Sequence, residues 1–84
     1  MAVEVQGPLN WETIADAFYQ LERRNIRPEM LRISESSWAR LSADGLTDPE
    51  DDTVWGADIV VDDSLTDEVQ VIAGEEKVIA RLKR

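Results

Sequence analysis

Carboxylates are the abundant reactive groups in this chain: Asp and Glu number 18 of 84 residues, against 9 Lys and Arg, with no His and no Cys. Without thiols there is no thiolate zinc site, iron–sulfur cluster, disulfide or cysteine nucleophile. Without imidazole there is no Ser-His-Asp triad and no His-ligated metal. What remains is carboxylate and hydroxyl chemistry. Asp62 and Asp63 are adjacent on an extended segment, where consecutive side chains point to opposite faces, so the pair cannot act on one substrate atom. Asp48, Glu50, Asp51 and Asp52 crowd together enough to hold a hard cation loosely. They lack the ligand spacing and glycine of an EF-hand loop, and the run reads as a solvated acidic loop. Ser34, Ser36 and Ser37 suit a helix start and lie in no Gly-x-Ser-x-Gly elbow. The dispersed glycines, Gly7, Gly45, Gly56 and Gly74, build no phosphate-cradling loop. No catalytic residue, cofactor or metal is expected, and the chain reads as non-enzymatic.

The layout of charge carries more information than its chemistry. The formal net charge is −9. Yet the stretch 23–40 holds Arg23, Arg24, Arg27, Arg32 and Arg40 against Glu29 and Glu35, a local excess of three positive charges. From Asp44 to Glu68 there are ten carboxylates and no basic residue, and the tail adds Arg81, Lys83 and Arg84. Complementary patches on different parts of one molecule make a heterologous contact, so head-to-tail association of a basic and an acidic face is one expected mode of contact. The candidate interaction residues are Arg23, Arg24, Arg27, Arg32 and Arg40 on one side, with Asp48, Glu50, Asp51, Asp52, Asp62 and Asp63 on the other. Nucleic acid is a poor partner, because the overall charge repels phosphate and no aromatic residues interleave the arginines. No stretch approaches the ~18 apolar residues that cross a bilayer, and the start lacks the features of a secretory signal. A membrane and a small-molecule substrate are not expected, and the protein is read as cytoplasmic when made. Seven Arg against two Lys beside so many carboxylates matches the bias of salt-loving archaea and of high-GC bacteria.

These groups must be positioned by a small single domain. Asn10 is placed to cap a helix over about 10–24, with Trp11, Ile14, Ala15, Phe18 and Leu21 on its buried stripe and Glu12 matching the dipole in its first turn. Arg23 and Arg24 fall in the last turn, Asn25 supplies a left-handed stop, and Pro28 follows. A short strand over 30–33 leads to a second helix over 34–43, capped by Ser34 and burying Trp38 and Leu41. Asp44-Gly45 ends it and opens an acidic loop over 44–53. From residue 54 to 62 the apolar period is two, placing Trp55, Ala57, Ile59 and Val61 on one inward face. Strands over 69–73 and 76–82 flank Gly74-Glu75, a two-residue link suited to a type II′ hairpin. That register pairs Ala73 with Glu76, Val71 with Val78, Val69 with Ala80 and Glu68 with Arg81, aligning apolar faces and opposite charges. The expected fold is α+β, two helices on a small, mostly antiparallel sheet with a C-terminal β-hairpin. All three tryptophans are expected in the core, so that Trp55→Ala would unfold the domain.

One family shares this order of elements. The run Phe18-Tyr19-Gln20-Leu21-Glu22-Arg23-Arg24-Asn25-Ile26-Arg27-Pro28-Glu29-Met30-Leu31-Arg32-Ile33-Ser34 reads as amphipathic helix, proline, and short strand ending in a small polar residue. Ser37-Trp38-Ala39-Arg40-Leu41 and Asp44-Gly45 follow, then Thr53-Val54-Trp55-Gly56-Ala57-Asp58-Ile59-Val60-Val61-Asp62. The order resembles the axial domain of tailed-phage major capsid proteins, the Hong Kong ninety-seven fold shared with encapsulins, over residues 13–73. The resemblance implies a virion-associated or virus-derived structural protein, in contact with itself or other virion proteins, and transfers no catalytic residue. Capsid subunits of this kind also carry an arm, an extended loop and a peripheral domain, for which 84 residues leave no room, so the chain is not expected to build a shell alone. The second reading is a small acidic cytoplasmic regulatory protein of a halophilic or high-GC host that binds one partner protein.

Overall fold

A computed structural model describes residues 2–43 and 52–82. The acidic run at Asp48, Glu50 and Asp51 and the Asp44-Gly45 turn lie outside the described residues. The element order is β1 (Ala2–Gly7), α1 (Trp11–Glu22), β2 (Met30–Ile33), α2 (Glu35–Ser42), β3 (Thr53–Val54), β4 (Ala57–Val61), β5 (Glu68–Ala73) and β6 (Glu76–Leu82). Six strands form one mixed sheet in the order β1-β6-β5-β2-β4-β3. The fold is α+β with a C-terminal hairpin, as the sequence predicts. Three of its five pairings are antiparallel, while β1–β6 and β2–β4 are parallel.

Local chemistry sets the helix ends. The Asn10 side chain accepts a hydrogen bond from the Thr13 amide at 3.0 Å, and Ser34 Oγ accepts one from the Ser37 amide at 3.2 Å. Both satisfy donors that the first helical turn leaves unpaired. Asn25 closes α1 in the left-handed region at φ 59°. Because α1 ends at Glu22, Arg23 and Arg24 lie beyond its last turn rather than within it. The buried stripe is Thr13, Ile14, Ala17, Phe18 and Leu21, and Ala15 is exposed, contrary to the expectation above. The stripe is centred one position further round the helix.

Both helices cover one face of the sheet. Trp11 stands between them: its Nε1–H donates to the Leu41 carbonyl at 3.1 Å, and its ring meets Trp38 edge-on at 6.1 Å. Beneath them, Leu31, Ile33, Val69, Val71, Val78 and Ala80 are fully buried. The β5–β6 register is the one expected, with all four predicted pairs present and Gly74 in the turn at φ 60°.

The strands differ from the sequence reading as well, and Val61, expected on the inward face, is 51% exposed. Residues 2–7 form an edge strand, β1, parallel to β6, whose Val3 and Val5 alternate with Glu4 and Gln6. The segment 54–62 is not one strand. A two-residue turn at Trp55-Gly56, with φ 48° and 83°, folds β3 back on β4. Two successive positive φ values match a type I′ hairpin turn. The turn pairs Val54 with Ala57 and puts both on the buried face, so Trp55 leaves the strand alternation and is 50% exposed.

Candidate interaction surface

The parallel strands give the molecule two distinct ends. At the end where they begin lie the C-terminus of α1, the Trp55-Gly56 turn and the Gly74-Glu75 turn. The Gly74 amide donates to Glu29 there at 2.9 Å, and Arg24 meets Glu76 at 3.7 Å. At the opposite end, Asp63 Oδ1 accepts from the first backbone N–H of α2 at 3.0 Å. An open hollow of about 650 Å³ adjoins it, lined by Pro8, Leu9, Ser36, Arg40, Asp67 and Leu82 among others.

The structure distributes the sequence-predicted charges between these places. Arg23, Arg24 and Arg27 sit at the first end, interspersed with Glu29 and Glu76. Arg40 lines the hollow at the other end. Arg32 lies on the helix-free face of the sheet and forms an ion pair with Asp62, its nominal counterpart on the acidic side. The five arginines therefore do not make one continuous face, and two of them, Arg24 and Arg32, are paired within the chain. Asp62 also accepts from the Ser64 hydroxyl and amide. Those two hydrogen bonds, with a lesser contribution from Arg32, hold its carboxyl below the usual range. Asp62 and Asp63 point to different partners, but Asp63 stands in a turn over 62–65 rather than on the extended segment expected of the pair. Asp52 is exposed, and its carbonyl accepts from the Ile59 amide at 2.8 Å. Among the described residues no group of three or more carboxylates converges as a metal site. No described helix is long and apolar enough to cross a membrane.

What the structure brings together instead is aromatic. The Trp55 ring packs edge-on against Trp11 at 5.4 Å and Phe18 at 5.1 Å, while half of the residue remains open to solvent. A groove between this ring and α1 is lined by Ala15, Phe18, Glu22 and Trp55. Along α1, Tyr19 follows Ala15 by one turn and precedes Glu22 by three residues, so it borders the same stripe. It is 56% exposed, and the Arg23 guanidinium lies 5.9 Å from its ring centroid. The shelf thus combines Trp, Tyr and Arg, the residue types that dominate binding energy at protein interfaces. Trp55 also pays a conformational cost to be there. A bulky residue in the left-handed region is disfavoured by roughly 1–2 kcal/mol, and type I′ turns ordinarily take Asn or Gly at that position.

The period of two in the sequence assigns Trp55 to the core, and nothing in the sequence marks Tyr19. The available clue to the turn is Gly56 between two short β-prone runs, a weak one because Trp stands where the hairpin signal carries Asn, Asp or Gly. Compared with family models, with curated proteins and with solved structures, the chain matches none.

Proposed function

We propose that this protein is a non-enzymatic interaction module that grips a partner protein through the shelf of Trp55, Ala15, Tyr19 and Arg23. The observation that carries this reading is Trp55, held half-exposed in a left-handed turn whose backbone ordinarily takes Asn or Gly. Strained positions persist where the surroundings enforce them, and they concentrate at sites of function. Trp11 and Phe18 supply the support, so the indole meets a partner already oriented and little rotamer entropy is lost on binding. The resemblance to capsid axial domains supports a virion-associated or virus-derived role, in which the partner is another structural protein. Glu22 and Glu29 beside the arginines give the shelf a mixed polar rim, which favours a partner surface of mixed charge over nucleic acid.

Site-specific photo-crosslinking tests this. Tyr19 replaced by benzoylphenylalanine, in the cells that make the protein, is expected to join one protein partner. The same residue at Glu35, at the far end, is expected to give no such adduct. Adducts to the chain itself would assign the shelf to self-association, including the head-to-tail mode. Adducts to nucleic acid, or equal adducts from both positions, would overturn the reading.

A further inference from the structure

The two margins of the sheet are built differently. On the β3 side, the edge strand has two residues, and the β3–β4 register turns only Thr53 outward, beside Asp52. A very short strand flanked by acid is a poor template for another strand. The β1 margin has no such protection. It is six residues long and contains no proline and no bulge, and its Glu4 charge is taken up by Arg81 at 3.0 Å.

The direction of its free backbone groups follows from register. The Leu82 amide donates to the Asp67 carbonyl, so even-numbered residues of β6 bond to β5, and Lys77, Ile79 and Arg81 turn toward β1. In a parallel pairing only one member of each opposed pair bonds across the ladder. Val3, opposite Val78, and Val5, opposite Ala80, therefore bond to β6. The N–H and C=O groups of Glu4 and Gln6 point off the sheet.

We propose that β1 pairs antiparallel with β1 of a second copy about a two-fold axis, joining two six-stranded sheets edge to edge. The register that fits sets Glu4 of each copy opposite Gln6 of the other and Val5 opposite Val5. It satisfies the outward N–H and C=O groups of Glu4 and Gln6 on each strand, four of the six that β1 turns off the sheet, the other two being those of Ala2. It sets a carboxylate against a side-chain amide rather than against another carboxylate, and it covers two half-buried valines on the helix side. Such a contact is isologous and closes at two copies. Both copies carry the same net negative charge, so pairing strengthens as salt screens the repulsion. A contact between basic and acidic faces would respond to salt in the opposite sense.

Sedimentation equilibrium from micromolar to millimolar protein, at low and high salt, tests the proposal together with amide hydrogen exchange. Dimer is expected, favoured by salt. The Glu4 and Gln6 amides gain protection with concentration, while those of Val3 and Val5 stay protected throughout. Gln6→Lys, which faces Glu4 of the second copy, should tighten the dimer about three- to tenfold, and Gln6→Glu should weaken it by a similar factor. Gln6→Pro removes an outward N–H alone and should leave a folded monomer. A wild-type monomer across the range, Glu4 and Gln6 amides that exchange alike in monomer and dimer, or equal effects of Gln6→Lys and Gln6→Glu would each overturn it. Strand pairing only with a different protein would show as the first of these.

Discussion

Replacing Trp55 with Asn separates its two roles, anchor and structural support. Half of a tryptophan is buried here, which is roughly 100 Å² of apolar contact, or about 2.5 kcal/mol. The edge-on contacts with Trp11 and Phe18 add about 1 kcal/mol. Against this, Asn before Gly56 is the preferred type I′ pair, and relief of the left-handed tryptophan returns about 1.5 kcal/mol. The net cost is about 2 kcal/mol, well under the ~3–5 kcal/mol of emptying a core aromatic site such as Phe18→Ala. Urea unfolding of Trp55→Asn should therefore show a cooperative transition at a lower midpoint with an unchanged slope. Crosslinking from position 19 should be lost in the same variant while it remains folded. A loss as large as that of Phe18→Ala, or unfolding outright, would mean that Trp55 is a core residue and that the shelf is only the outside of the core.

Two further outcomes test the frame that holds these surfaces. The Asp62 carboxyl has its folded pKa depressed below the unfolded value, so its contribution to stability is present above the unfolded pKa and is lost as pH falls through the folded one. A carboxyl-carbon NMR titration should find Asp62 shifted upward in Ser64→Ala by more than in Arg32→Gln, and the reverse order would mean that the ion pair dominates. At the β1–α1 junction, a Cβ on Gly7 would run into the Thr13 side chain, with Oγ1 nearest and Cγ2 at 3.2 Å, and both residues are buried. Gly7→Ala should cost about 1–3 kcal/mol in thermal or chemical unfolding, and Thr13→Ala in the same chain should recover part of it. Independent, additive losses would place the clash elsewhere.

The parts of the fold legible in the sequence were those fixed by neighbours along the chain. Asn10, Ser34 and Asn25 each act within four residues of the backbone they cap. The β5–β6 register follows from a two-residue turn and matching side chains. The parallel pairings of β1 with β6 and β2 with β4 join residues far apart in sequence, where no local signal sets the register. β1 carries only two alternating valines, a weak pattern of the kind an edge strand leaves. Trp55 escapes the period of two because a turn interrupts the strand at that residue. Residues 54 and 57 have opposite parity in a continuous strand, yet they face the same way across a hairpin. The candidate charges were misleading for a related reason. Positions 23–40 cross a helix end, a strand and a second helix, so arginines contiguous in the chain are carried to opposite ends and faces of the molecule.

The placement of the hairpin and β1 at opposite margins has a geometric corollary. With strands ~4.8 Å apart, a doubled sheet would hold its two Trp55 indoles roughly 50 Å from each other. A two-fold axis at the seam, perpendicular to the sheet, turns both toward the same side. Such a pair would engage a repetitive lattice or two linked targets at once, and its avidity would depend on whether the target's spacing matches that span.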